Sequence, residues 1–343
     1  MLANLFRPWI LARLTASMTA ALLVLLGVWT AARVLSHFSV ARTSEGQLAL
    51  ERRAELVSSL VEVALGTTVL GLCLAMVGAD RMTASIRGAM CAWGVLDASP
   101  WGFRSLFASI GAALGCALWI AVHRLDLRLR APTLTRAKFA ALFVVAPLVL
   151  ADGALAVQHA LSLDLRVVAT CCSTGLDATV RDAGTAVHRA QPIAAALFAL
   201  AAAVAVGLGA LNVRRARAGL ATALGAASAA AAVASVPAVI GWVAPHAFES
   251  PAHLCPFCLL HGDVLGLGWP LFASLFSGTA LGLSAGLVGR LERASGEPET
   301  ARAMAARLGG AASLAWGLAL ALAAAPVVRW MVLSGGASLF GDA

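Results

Sequence analysis

The stretch His253-Leu254-Cys255-Pro256-Phe257-Cys258-Leu259-Leu260-His261 puts two thiols and two imidazoles within nine residues, where a polar loop runs into an apolar segment. Cysteines at i and i+3 opening a helix point the same way, so one metal ion or one disulfide can use both. Three chemistries fit this pattern. As a metal site, thiolate and imidazole donors suit a soft ion such as Cu(I), or Zn(II), with Cys255 and Cys258 as ligands and His253 or His261 as an accessory. As a redox site, Cys-Pro-Phe-Cys at a helix start is activated by the helix dipole and cycles between dithiol and disulfide, which would make Cys255 and Cys258 the catalytic pair. In the third reading the two cysteines form a local structural bond in an oxidising compartment.

The remaining cysteines divide by position. Cys171 and Cys172 are adjacent in the longest polar loop. A disulfide between neighbours closes a strained ring, so such a pair serves better as two ligands to one ion or as separate partners of other cysteines; plain packing beneath the loop is the alternative. Cys91 follows Met90 and precedes Trp93, in a segment that also holds Asp97, Pro100 and Trp101. The tryptophans suit a membrane-interface belt, whereas Met90 and Cys91 suit a second soft-metal station or a resolving thiol. Cys73 and Cys116 lie inside apolar runs, where a thiol acts as a small hydrophobe.

These residues must be positioned by membrane helices. Of 343 residues, 60% are hydrophobic and only 12% are charged, and the mean hydropathy is +0.87, far from the globular average of roughly 45–50% apolar. Apolar segments fall at about 15–37, 57–79, 104–123, 138–160, 192–211, 218–244, 263–289 and 305–332. Each is long enough to cross a hydrocarbon core about 30 Å thick. The expected fold is therefore all-α: a polytopic transmembrane helical bundle of about eight spans, multi-pass in the cytoplasmic (inner) membrane, with the lipid bilayer as its first partner. The first segment shows no cleavage site and reads as an uncleaved helix.

The net charge of +8 and pI near 10.0 would suggest nucleic acid in a soluble protein. Here the arginines cluster in short loops between apolar runs, so membrane anchoring accounts for them and no nucleic-acid partner is expected. Loops 124–138, 212–217 and 290–307 are the basic ones and belong inside. The alternate loops then lie outside, carrying Cys91, Cys171, Cys172, Cys255 and Cys258 to one face. The same parity puts the N-terminus outside despite Arg7 and Arg13, a conflict that a re-entrant first segment would remove.

The chain divides on this reading into an N-terminal four-helix unit over 1–160, an extracytoplasmic Cys-Cys loop over 161–191 and a C-terminal four-helix unit over 192–343. The segment from Met90 parallels that from Leu254, each followed by Leu-Phe-Ala-Ser, with Cys91 matching Cys255 and Gly94 matching Cys258. Read as a duplication, the match makes the chain two tandem four-helix repeats running in the same direction.

A charge in hydrocarbon costs about 2.5–3.5 kcal/mol at a helix centre on insertion scales and is usually kept for function. Asp152 lies inside the fourth segment with His159 two turns onward, a candidate proton or cation path, while Glu62 suits snorkelling and His123 and Arg124 suit an interface. The sequence has no GxxxxGK[ST], HExxH or CxxCH pattern, so ATPase, zinc-protease and covalent-haem readings lack residues.

A membrane bundle with CxxC at an outer helix start and a second cysteine pair in another outer loop resembles the disulfide-generating membrane oxidoreductases of the DsbB and vitamin K epoxide reductase types. The likeness covers about a dozen residues, and those families are single four-helix units. It implies thiol–disulfide exchange with a quinone acceptor. The leading expectation from the residues is instead a membrane protein that binds or transports a soft metal ion, copper first, served by an extracytoplasmic metallochaperone. The alternative is thiol–disulfide exchange, with a thioredoxin-like partner and no resident metal. A structural subunit of a membrane complex is the third.

Overall fold

The computed structural model describes residues 6–38, 44–166 and 185–340, with backbone alone for 185–190. Helices α1 (Pro8–His37), α2 (Glu45–Met82), α3 (Ala92–Asp97), α4 (Gly102–Asp126) and α5 (Thr135–Ser162) come first. They are followed by α6 (Thr185–Arg215), α7 (Ala218–Ala238), α8 (Ala244–Ala247), α9 (Gly268–Arg290) and α10 (Pro298–Leu333). No strand occurs among the described residues. Eight helical segments are long and apolar enough to cross a membrane: α1, α2, α4, α5, α6, α7 with its continuation to Ala247, α9 and α10. The chain is thus a multi-pass helical membrane protein.

Several helices start well before their apolar runs. Helix α2 begins twelve residues before the apolar stretch at 57, with a charged extension that includes Glu45, Glu51 and Arg53. Arg53 and Arg33 both lie over the Trp29 ring, at 4.4 and 4.1 Å from its centroid. Two cations on one aromatic ring hold the end of α1 to the start of α2. Helix α10 likewise starts at Pro298, a favoured first-turn residue, seven residues before its apolar run.

The chain divides into two compact units. Unit 1 comprises Met1–Met82, Val95–Val167 and Leu291–Ala301; unit 2 comprises Thr83–Gly94, Val168–Arg290 and Arg302–Ala343. In unit 1, α1, α2, α4 and α5 form a closed ring of neighbours, each touching the next. Its core holds Val24, Val61, Leu65, Cys116, Trp119, Phe139 and Leu142, all buried. Leu22, Leu25 and Leu26 on α1 are exposed. A helix apolar on its outer as well as its inner face is one that meets lipid.

Unit 2 packs on small residues. An added Cβ on Gly225 of α7 would meet Gly286 Cα of α9 at 3.1 Å, and one on Gly209 of α6 would meet the Gly309 carbonyl oxygen of α10 at 2.5 Å. Gly278, Gly282, Gly286 and Gly289 repeat along one side of α9, so the backbones of α7 and α9 approach closely. Trp316 of α10 lies against Gly278 and donates from its indole N–H to Ser228 Oγ at 3.1 Å. Without a hydrophobic driving force in lipid, close approach and shared hydrogen bonds hold helices together. Replacing Gly286 by Leu is expected to lower stability by about 1–3 kcal/mol, the usual range for overpacking. Gly219→Ala, where no atom lies within 4 Å, should cost nothing. Thermal unfolding of both variants in detergent checks this.

Candidate metal centre

The site is built in unit 2, from two segments far apart in sequence. Cys91 follows a turn in which Gly88 takes φ +81°, and directly precedes α3. The second segment starts where α7 ends in a π-helical turn over Val239–Val243, bracketed by Pro237 and Pro245, and passes through α8. It then makes a 3-10 turn over Pro256–Leu260, with Cys255 as its N-cap residue and Pro256 at its first position.

Here the structure departs from the sequence expectation. The Cys-Pro-Phe-Cys stretch does not open the long helix. It forms its own five-residue turn, followed by a second turn over Gly262–Val264, and α9 begins only at Gly268. His261 is extended, Leu265 is left-handed at φ +57°, and Gly266 follows at φ +63°. Two successive left-handed residues cannot continue a helix, and the glycine makes the second one cheap. Gly268 is needed as well, because a Cβ there would lie 2.8 Å from the Leu259 carbonyl carbon. The helix-dipole activation expected for this cysteine pair therefore lacks its helix.

The turn delivers both of its cysteines to one place. Cys91, Cys255 and Cys258 form a group whose three sulfur atoms all lie within 4.8 Å of one another, and all three residues are buried. Cys91 Sγ and Cys255 Sγ are 3.5 Å apart. That is a thiol contact, far longer than the roughly 2.05 Å of a disulfide bond. Trp93, Phe248 and Phe257 pack around the sulfurs, with the Trp93 and Phe257 rings edge-on at 6.1 Å. The pocket is thus soft, apolar and shielded from water.

Of the two histidines, His253 has the more telling surroundings. Its ring stacks on Phe248 at 3.9 Å between centroids, and its Nε2 is buried without a hydrogen-bond partner. Burial pushes its pKa below the ordinary imidazole value, with the negative charge of a Cys91 thiolate pulling the other way. A neutral imidazole keeps a lone pair for a ligand. His261 is half-buried at the far end of the turn, where its backbone N–H bonds to the Cys258 carbonyl at 3.1 Å. Neither histidine nitrogen joins the set with mutual spacing inside 4.8 Å. Cys171 and Cys172 lie outside the described residues. No known protein family, curated protein or solved structure matches the chain.

The other candidates, Asp152 and His159, sit in unit 1. Asp152 is buried and ion-paired with Arg13 of α1. Ser109 of α4 takes a hydrogen bond from Arg13 at 2.7 Å and donates to Asp152 at 2.6 Å. Sequence reasoning treated Arg13 only as a topology signal. Its place five residues inside an apolar helix was the available clue, since an intramembrane charge calls for a partner. A second polar cluster gathers Glu62, His123, Arg124, Asp126 and Lys138. Arg124 donates to Glu62 at 2.5 Å, Lys138 pairs with Asp126 at 2.7 Å, and His123 stacks on Trp119.

Losing one member of a buried ion pair strands the other charge. Asp152→Asn is expected to destabilise the protein by about 3–5 kcal/mol, whereas the double replacement Arg13→Met/Asp152→Leu should recover most of that loss. Unfolding of the three proteins in detergent measures it. Equal losses in the single and double variants would show that the pair is not the operative unit.

Proposed function

We propose that this membrane protein binds a soft metal ion, Cu(I) before other ions, in the Cys91–Cys255–Cys258 pocket, and passes it between the extracytoplasmic face and a partner or the bilayer interior. The observation that carries the reading is the mutual spacing of three sulfur atoms inside 4.8 Å in a buried pocket. Thiolates select thiophilic ions such as Cu(I) and Zn(II) over hard ones. Aromatic walls keep water, and with it competing oxygen ligands, away from the sulfurs. His253 is the additional donor favoured on these grounds, with a buried nitrogen that lacks a partner. Metal uptake would release protons from the thiols, so affinity should fall as pH falls.

A second reading rests on one distance, the 3.5 Å between Cys91 Sγ and Cys255 Sγ. In it, two thiols lose two protons and two electrons and form one disulfide, the electrons passing to a quinone or to the disulfide of a thioredoxin-like protein. The bond would join Cys91 to Cys255, in place of Cys255 to Cys258.

Both readings are tested on the purified full-length protein. For the first, Cu(I) titration against a chromogenic chelator should show one tight equivalent, with X-ray absorption reporting sulfur ligands. Cys91→Ser and Cys255→Ser should each weaken binding by at least about a hundredfold, because loss of a direct ligand costs no less than loss of an outer-sphere contact. Wild-type affinity in either variant would end the metal reading. For the second, mass-tagged thiol trapping across a range of redox buffers should reveal a Cys91–Cys255 crosslink, and its failure to form under any buffer would end the exchange reading.

A further inference from the structure

The three thiols are closed off. Cys91, Cys255 and Cys258 are 2%, 0% and 7% exposed, so any ion or oxidised partner that reaches them needs some part of unit 2 to open. The segment that leads to Cys255 is built like a hinge. It leaves α7 through the π-helical turn Val239–Val243, with Pro237 before it and Pro245 after it. Prolines and π turns are where helices bend. Beyond the hinge, α8 hands the chain to Phe248, whose ring packs against the cysteine cluster and stacks on His253.

The end of α10 grips this segment at two points. The first is Glu249, which pairs with Arg329 at 2.9 Å. Glu249 closes α8 with φ +53°. Its N–H bonds to the His246 carbonyl at 3.4 Å, and the Ser250 N–H to the Pro245 carbonyl at 3.0 Å. Glycine is the residue that normally fills such a left-handed helix ending, because a Cβ is disfavoured there. A glutamate stands in its place with its carboxylate on Arg329, a contact that glycine could not make.

The second grip is the tail. Gly335 and Gly336, at φ +64° and +91°, turn the chain back after α10. The Trp330 indole N–H and the Ser334 hydroxyl both donate to the Ala337 carbonyl, at 3.0 and 3.2 Å, and fix the return. Phe340 is thereby set against Trp242 of the π turn and His246 of α8, at 5.3 and 5.6 Å between centroids. Both grips are weak. The Arg329 and Glu249 side chains are 63% and 40% exposed, and an exposed ion pair contributes little. Residues 335–338 are exposed too, and a chain end held by a few surface contacts opens readily.

We infer that the last turn of α10 and the tail form a latch on the connection between α7 and the cysteine turn. When the latch is released, α8 swings on the π turn, carries Phe248 off the sulfurs and exposes Cys255 and Cys258. The inference concerns access to the thiols and does not depend on which chemistry they perform.

The test measures that access. Full-length protein in detergent is pulsed with N-ethylmaleimide, and modification of each cysteine is followed by peptide mass spectrometry. Where closing outpaces labelling, the rate follows the population of the open form. Arg329→Ala is expected to speed labelling of Cys255 and Cys258 about threefold, as loss of a surface ion pair allows, whereas Arg329→Lys keeps the pair and the wild-type rate. Phe340→Ala removes two ring contacts and should speed it about tenfold. Cys116, buried in the core of unit 1, is the internal reference and should label no faster in any variant. Wild-type rates at Cys255 and Cys258 in either Arg329→Ala or Phe340→Ala would overturn the latch. So would an equal acceleration at Cys116, since the changes would then loosen the whole protein and not this connection.

Discussion

A polar group inside a bilayer has no water to fall back on, and this one constraint organises the structure. In the spans of unit 1, charged side chains pair across neighbouring helices. Asp152 reaches across to α1 for Arg13, Lys138 reaches to Asp126 of α4, and Glu62 of α2 reaches to Arg124. Each pair joins two helices, so the need to satisfy charge also fixes which helices are neighbours. Asp126 goes further and accepts from the Leu134 N–H and the Thr135 hydroxyl. The Leu134 N–H is a backbone donor that the start of α5 cannot use within its own helix. The buried carboxylate thereby caps the helix that carries its lysine.

Unit 2 meets the same constraint with almost no charge in its spans. Its helices come close through glycine and serine, and their few polar contacts run from one helix to the next. Trp316 N–H reaches Ser228, the Ser313 hydroxyl reaches the Val206 carbonyl, and Asn212 donates to the Ala305 carbonyl. Such tight packing leaves the connection between α7 and α9 to absorb the irregularity. A π-helical turn, two 3-10 turns and three left-handed residues, Glu249, Leu265 and Gly266, fall between Val239 and Gly266. The cysteine pocket lies in that stretch.

The spans were plainly written in the sequence, because some twenty apolar residues in a row have few other fates. Their ends were less so. The charged first turns of α2 gain nothing from lipid and are helical through the Trp29 stacking and the i, i+4 contact between Gln47 and Glu51, at 2.9 Å. The Cys255–Cys258 pair stood out by spacing alone. What spacing could not say was that Gly266 and Gly268 would hold the turn apart from α9. Nor could it show that Cys91 lies beside the pair, since 164 residues separate Cys91 from Cys255. Arg13 was hidden differently. Read as one more positive charge near an end, it argued against the alternating topology; paired with Asp152 inside the bundle, it carries no topological weight, and only Arg7 is left on that side of the conflict.

The distance in sequence between Cys91 and the Cys-Pro-Phe-Cys turn bears on what the pocket is for. A CxxC turn by itself is a local device that an unfolded chain can already form, and a metal or disulfide on it says little about the state of the protein. A third thiol contributed from 164 residues away exists beside the other two only when unit 2 is assembled. Anything that engages all three sulfurs therefore binds the folded state and not the unfolded one, and by linkage stabilises the fold in proportion to how tightly it is held. A ligand held by all three thiols draws the two segments together; a bond within the turn leaves Cys91 out and lends the tertiary structure nothing. The placement of Cys91 is thus the feature that separates a centre belonging to the whole unit from a reactive pair on a loop.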